Sequence, residues 1–425
     1  MSTNYSGSRR GLVLDALAHR QPEALPVDFG GTPFTGIHCS VIAELRDYFG
    51  LEKRPVMVRE PYQMLGLIEP DLQQALNVSV TCLYPRGTIF GFANENWKSW
   101  RAPWGQELLV SGHFETTTDA SGDILIYPQG DTSVPACAKM PRDGFFFDSI
   151  IRQEPIAEDR LDPADNCEEF TLLSRAQIQQ QSADAREARE TGMAVVAGLP
   201  GTALGDIALV PAPFLKHPKG IRAIAEWYMS TSIRQDYIHA IFQYQTEVAV
   251  KNMEAINAAY GDCIDVVILC GTDFGTQNST FCSPATFNSL WKPYYQRMTR
   301  WIHANTCWKV LKHSCGAVEG LIPDFIDCGF DILNPVQCSA AGMGPRHLKE
   351  THGRRITFWG GGIDTQHTLP FGTPQQVRDQ VLDRCRIFGE GGGFVFNTIH
   401  NIQARTPLPN LVSMLDALSV YDGAA

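Results

Sequence analysis

The stretch Ile264-Asp-Val-Val-Ile-Leu-Cys270, followed by Gly271-Thr-Asp-Phe-Gly-Thr-Gln277 and then by Ser283-Pro284, decides the reading of this chain. Its first seven residues are apolar except for one aspartate and carry no two-residue alternation. That is the signature of a strand covered on both faces, as in a parallel sheet. The next seven are polar and rich in glycine. Ser283 is a good N-cap and Pro284 suits the first helical position, so a helix opens there and runs to about Ala304. Strand, polar loop, helix is half of a βαβ unit.

The same unit recurs on both sides. Met193–Leu199 (MAVVAGL), Trp308–Lys312, Phe330–Pro335 (FDILNP), Ile356–Trp359 (ITFW) and Phe394–Ile399 (FVFNTI) read as strands. Helical spacing appears at Lys219–Met229, Ile233–Tyr260, Gly316–Asp327, His347–Thr351, Thr373–Phe388 and Pro409–Val420. Nearer the start, Arg9–Ala18, Val41–Phe49 and Gln63–Leu76 read as helices, and Leu25–Phe29 and Val78–Tyr84 as strands. Eight strands, most of them separated by helices, favour an α/β fold of the closed (β/α)₈ TIM-barrel type over an open doubly wound sheet. The whole chain, 1–425, is then one barrel domain.

Residues 85–191 break the rhythm. Two alternating runs there, ELLVSGHFE and DILIYP, flank Ala120-Ser121-Gly122 and read as a hairpin, and Ser174–Arg189 reads as a solvated helix. The segment is expected to be an insertion after the second strand that covers the barrel mouth.

Composition narrows the function. A formal charge of −11 argues against nucleic acid as the main partner. No apolar run reaches membrane-spanning length, and Met1–Arg10 lacks the apolar core of a signal peptide. Twelve cysteines without a CxxC pair suggest reduced thiols and a cytoplasmic protein. P-loop, serine-elbow and HExxH motifs are absent, and the glycine clusters 360–362 and 389–393 do not form a dinucleotide fingerprint.

Active sites of such barrels lie where the strands end. The strand ends here carry Asp28, Tyr84, Arg86, Asp273, Gln277, His313, Cys315, Asn334, Gln337, Asp364, His400 and Gln403. His313-Ser-Cys315 is the sharpest of these signals. Residues two apart on a strand share a face, and imidazole plus thiolate suits zinc. About 0.3 such pairs arise by chance from eleven histidines and twelve cysteines, so the bland alternative is a packed cysteine beside a hydrogen-bonded histidine. His400 ends the last strand and can converge on the pair as a metal ligand or a catalytic group. Asp273 can serve as a further ligand or as a general base. Asp28, Gln277, Asn334, Asp364 and Gln403 are candidate substrate-binding residues, and Cys338 lies near the same mouth.

Gly271–Pro293, His313–Gly316 (HSCG), Gly329–Pro335, Asn397–Pro407 and the opening Arg9–Gly31 resemble the uroporphyrinogen-decarboxylase superfamily, whose members are single (β/α)₈ barrels. The resemblance spans the chain apart from 85–191. Decarboxylases of this superfamily grip porphyrinogen carboxylates with an N-terminal arginine-rich motif; here the matching strand end is Val27-Asp-Phe-Gly-Gly-Thr-Pro33, without arginine. The pattern is closer to the methyltransferases that work with corrinoid proteins, such as methylcobalamin:coenzyme M methyltransferases. Those enzymes bind zinc through His-x-Cys and a later cysteine. His313 and Cys315 match, and His400 stands where the later cysteine belongs. The resemblance therefore implies a zinc-dependent methyltransferase acting on a small thiol, methoxyl or methylated amine. Its cobalamin would ride on a partner corrinoid protein, since this chain lacks the Asp-x-His-x-x-Gly pattern. Two alternatives stay open: a decarboxylase or other lyase of a small carboxylic acid, and a barrel that only binds a small molecule. Association of identical chains also stays open.

Overall fold

The computed structural model describes residues 8–270 and 272–424, with the side chains of Cys270 and Ala424 excepted. Met1–Gly7 and Gly271, part of the segments read above, lie outside the described residues.

Seven strands form one parallel sheet in the order Phe394–Val395, Thr357–Trp359, Ile332–Asn334, Lys309–His313, Val266–Cys270, Ala194–Gly198 and Val80–Leu83. The sheet curls until its two edges meet across residues 26–28. Val27 forms a parallel bridge with Phe396. Asp28 N donates to Phe396 O at 2.8 Å and Phe396 N to Pro26 O at 2.8 Å, while Ser79 N donates to Val27 O at 2.8 Å on the other side. The fold is thus the α/β (β/α)₈ barrel, its eighth strand reduced to a single bridge.

Side-chain alternation divides the strands into two cores. Val80, Val196, Val266, Leu311, Ile332, Trp359 and Val395 fill the barrel, closed at one end by Val13, Ala16 and Leu17 of the helix Arg9–Leu17 and met at the other by Phe34. The opposite faces pack against the helices. Arg10 binds Asp265 through two nitrogens, and Arg189 reaches the same carboxylate at 3.0 Å, which ties the closing helix to the strand Val266–Cys270.

Helix starts follow the caps read in the sequence. Ser283 accepts from Thr286 N, and Thr373 forms a reciprocal capping box with Gln376. Differences arise where tertiary partners override local pattern. Ser283–Ala304 is two helices, Pro284–Leu290 and Lys292–Asn305, because Pro293, the second residue of the later one, has no N–H to continue the ladder. The helix expected at Lys219–Met229 begins only at Ile224. Arg222 is drawn into a buried ion pair with Glu169 and donates to Lys219 O, which engages the segment ahead of the helix. Gly316–Asp327 carries only the short helix Ile322–Asp327 after a 3₁₀ turn. Gln63–Leu76 is not one helix either: a strand Val56–Glu60 pairs with Leu65–Gly66, and the helix is confined to Pro70–Ala75. The Glu60 carboxylate accepts from Tyr62 N and Gln63 N, which fixes a turn where the helix was expected to start.

Within residues 85–191 the hairpin across Ala120–Gly122 exists, but its strands are Thr116–Thr118 and Ile124–Ile126. Glu107–Val110 pairs instead with Lys98–Arg101 and, in parallel, with Val56–Glu60. The helix Arg175–Glu190, capped by Ser174 and Gln177, packs on the strands Val80–Leu83 and Ala194–Gly198, where a crossover helix belongs. No helix among the described residues is long and apolar enough to cross a membrane.

Candidate metal centre at the barrel mouth

Lys309–His313 points Leu311 into the barrel, so His313 faces inward one layer nearer the mouth. Its side chain is only 3% exposed. Asn334, at the end of the neighbouring strand and fully buried, donates from Nδ2 to Trp359 O at 2.9 Å. That bond turns Oδ1 toward His313 Nδ1 at 2.8 Å. Nδ1 therefore carries the ring proton, and the lone pair of Nε2 points away from the strand. Cys315 Sγ lies 3.6 Å from that Nε2. Zinc held tetrahedrally at its usual bond lengths to nitrogen and sulfur separates the two donors by roughly 3.5 Å. The pair is preset at a ligand spacing.

The turn after the strand keeps the thiol there. Gly316 adopts φ +87°, and a Cβ on it would lie 2.4 Å from the backbone of Gly275. Only glycine permits this approach of the two strand ends. Cys315 N donates to Asp273 Oδ1 at 2.7 Å, and the same oxygen is 3.8 Å from His313 Nε2.

His400 arrives from the far side of the barrel. Its ring makes an edge contact with His313, centroids 5.6 Å apart. Donor atoms of His313, Cys315 and His400 all lie within 4.8 Å of one another, the only such group of three among the described residues. His400 differs from His313 in one respect: its Nδ1 accepts the Asn401 N–H at 2.8 Å, so the neutral ring carries its proton on Nε2. Phe34 stacks on the open face of His313 at 3.7 Å between centroids.

Burial sets the charge state of these donors. It pushes His313 down to about 3 despite Asn334. It pushes His400 down to about 4, with His313 adding to the shift. Burial raises the Cys315 thiol well above its ordinary value, and Asp273 and Asp206 raise it further. The site is thus two neutral imidazoles and a thiol, which suits a cation that takes imidazole and turns thiol into thiolate. The donor set fits zinc.

The remaining sequence candidates divide. Gln277 stands on the rim: Gln337 donates to it at 3.1 Å while accepting from Gly316 N at 2.8 Å, and Gln277 donates to Gln366 at 3.3 Å. Asp28 is fully buried, and both its oxygens are engaged, by Gly31 N and Trp359 Nε1. It anchors the loop that carries Phe34 rather than meeting solvent. Asp364 accepts from Gln366 N and contacts His367, shaping its own loop. Gln403 lies apart from the metal donors and, with Gln63, Tyr62, Phe145 and Phe146, lines a cavity of about 450 Å³. Cys338 Sγ rests on Gly361 O at 4.0 Å. Sequence reading passed over Phe34, which sits in a loop without a distinguishing pattern. It also passed over Asp206, whose carboxyl burial and Asp273 raise to about 7.

Residues 217–421 match the family described as Uroporphyrinogen decarboxylase (URO-D). Among solved structures, a methyltransferase from Methanosarcina mazei is similar over 98% of this chain and 99% of its own, at 15% identity and a TM-score of 0.54. That likeness is one of fold. An endo-glycoceramidase II from Rhodococcus sp. is similar over 62% of this chain and 75% of its own, at 10% identity and a TM-score of 0.34. No curated protein sequence matches the chain.

Proposed function

We propose that this chain is a zinc-dependent methyltransferase of the uroporphyrinogen decarboxylase superfamily, whose family model its residues 217–421 match. It would move a methyl group between a small thiol, methoxyl or methylated amine and a corrinoid carried by a partner protein in the cytoplasm. One observation carries the reading: His313 Nε2 and Cys315 Sγ stand 3.6 Å apart with the imidazole tautomer fixed by Asn334.

Bound zinc would supply a Lewis acid that lowers the pKa of a substrate thiol or polarises a methylated oxygen or nitrogen. His313 and Cys315 would hold it. His400 would join as third ligand in the tautomer that releases the Asn401 N–H; in its present tautomer the ring instead offers an N–H donor to substrate. Asp273, fixed by Cys315 N, would orient substrate and take up or return a proton. Phe34 would exclude water from the face of His313. Gln277 and Gln337 would hold the rim. The arginine-free segment 27–33 supports this reading over porphyrinogen decarboxylation, whose substrate carries several carboxylates.

The test is methyl transfer from methylcobalamin to small thiols, phenols and amines by the zinc-loaded protein, with the reverse direction assayed from the methylated compounds. Turnover abolished by Cys315→Ser is expected. Decarboxylation of a small acid by metal-free protein would replace this reading with the lyase alternative.

A further inference from the structure

We propose that Lys312 is a positioning residue of the metal centre: its buried ammonium clamps together the two strand ends that carry Asp273 and His313. The proposal rests on the zinc reading above.

Lys312 is fully buried. Leu311 and His313 face the barrel interior, so alternation sends Lys312 outward, into the layer between strands and helices. The ammonium lies among aromatic rings there, 5.0 Å from the Phe274 ring centroid, 5.6 Å from Tyr295 and 5.8 Å from Phe325. A methionine or leucine would satisfy the packing. A charge here has to be held by what it binds. Lys312 Nζ donates to Thr272 O at 2.7 Å and to His313 O at 2.6 Å. Those two carbonyls belong to the residue before Asp273 and to the first metal ligand.

The placement matters because the ladder between these strands ends here. Their register shifts between Ile268 and Cys270, and Cys270 opposite Lys312 is the last pair. Beyond it the two strand ends are joined by cross-links outside the regular ladder. Phe274 N donates to Ser314 Oγ at 2.9 Å, Cys315 N to Asp273 Oδ1 at 2.7 Å and Ala317 N to Thr276 O at 2.8 Å. The Lys312 clamp is the first of these links and the one that carries a positive charge, bonded to both strand ends at once. It sets the separation from which the others, and the 3.8 Å approach of Asp273 to His313, follow. Lys312 acts through the backbone that presents the donor atoms of the metal group.

Lys312→Met keeps length and apolar contact and removes both bonds. In the full chain without metal, the amides of Phe274, Cys315 and Ala317 should exchange with deuterium about ten-fold faster or more, while amides of the Ala194–Gly198 strand keep the wild-type rate. Zinc affinity, measured against a chelating dye, should fall about ten- to a hundred-fold. The visible spectrum at saturating cobalt should change. Lys312→Gln, which retains an N–H donor, should recover part of each effect, and it replaces the methionine variant should that one not fold. Wild-type exchange and wild-type zinc affinity in the folded variants would overturn the proposal. So would faster exchange spread evenly over the barrel, which marks general loss of stability. A wild-type protein that binds no zinc would refute the metal reading instead, and the exchange of residues 272–276 and 313–317 would still decide the clamp.

Discussion

Asn334→Leu isolates the step from which the metal centre is built. Asn334 is fully buried and makes two bonds: Oδ1 accepts His313 Nδ1–H at 2.8 Å and Nδ2 donates to Trp359 O at 2.9 Å. Leucine has a similar shape and no polar atom. Its introduction strands one buried donor and one buried acceptor, each costing about 1–3 kcal/mol. The packing remains filled, so the variant should fold with a stability loss of roughly 2–6 kcal/mol in urea denaturation. The site should suffer separately. Without Oδ1 nothing selects the tautomer that leaves Nε2 free, and loss of such a partner weakens metal binding about 10–100-fold. That corresponds to roughly 1.4–2.8 kcal/mol of binding free energy. Competition with a chelating dye on the folded variant measures it. Zinc affinity within two-fold of wild type, in a variant shown to be folded, would refute the reasoning that Asn334 sets the ligand face of His313.

Other consequences are equally direct. Cys315→Ser and His313→Ala should each abolish tight zinc binding, whereas His400→Ala should leave measurable binding, because the His400 Nδ1 is already engaged by Asn401 N; equal loss in all three would contradict the difference in tautomer. The Asp28 carboxyl, raised to about 7 chiefly by burial and partly restrained by Trp359, should titrate near neutrality in a ¹³C spectrum, and Trp359→Phe should move its midpoint upward. Its folded value lies above its unfolded value of 3.8, so its contribution to stability is complete below about pH 4 and is lost as pH rises toward 7, amounting to about 4 kcal/mol. A midpoint near 4 would show that Asp28 is solvated. At the opposite end of the barrel, Asp265→Ala leaves the part-exposed Arg10 and Arg189 without their shared carboxylate and strands the buried Val195 N–H, and should cost about 1–3 kcal/mol in thermal denaturation, with zinc affinity unchanged.

The barrel was legible because its strands are covered on both faces. Runs such as Met193–Leu199 and Ile264–Cys270 stay apolar over lengths too short for a helix, and serine–proline and threonine–proline caps mark where the following helices start. Val56–Glu60 was not legible. It pairs outside the barrel with Glu107–Val110, and the turn that ends it is fixed by the Glu60 side chain rather than by a turn residue. The division of the helical run 224–260 into two helices was legible, and the structure places the break at Arg234, which pairs with Glu158. At the site, His313 and Cys315 could be paired from their two-residue spacing, although the strand ends at His313 and Cys315 stands in the turn beyond it, and His400 could be added because closure of a barrel brings distant strand ends together. Whether a polar residue at a strand end meets substrate or protein could not be read: Asp28 looked like a binding group and is engaged by Gly31 and Trp359. Lys312 stands in an apolar strand, where a lysine reads as a surface position, and its two carbonyl partners appear only once the strands are assembled.

The central claim is that His313 and Cys315 hold zinc at the barrel mouth. Metal analysis of the purified chain combined with zinc-edge X-ray absorption tests it most directly. About one zinc per chain is expected, with one sulfur near 2.3 Å and the remaining nitrogen or oxygen neighbours near 2.0–2.2 Å, the sulfur disappearing in Cys315→Ser. A folded, active chain without stoichiometric metal, or a zinc with no sulfur neighbour, would contradict it.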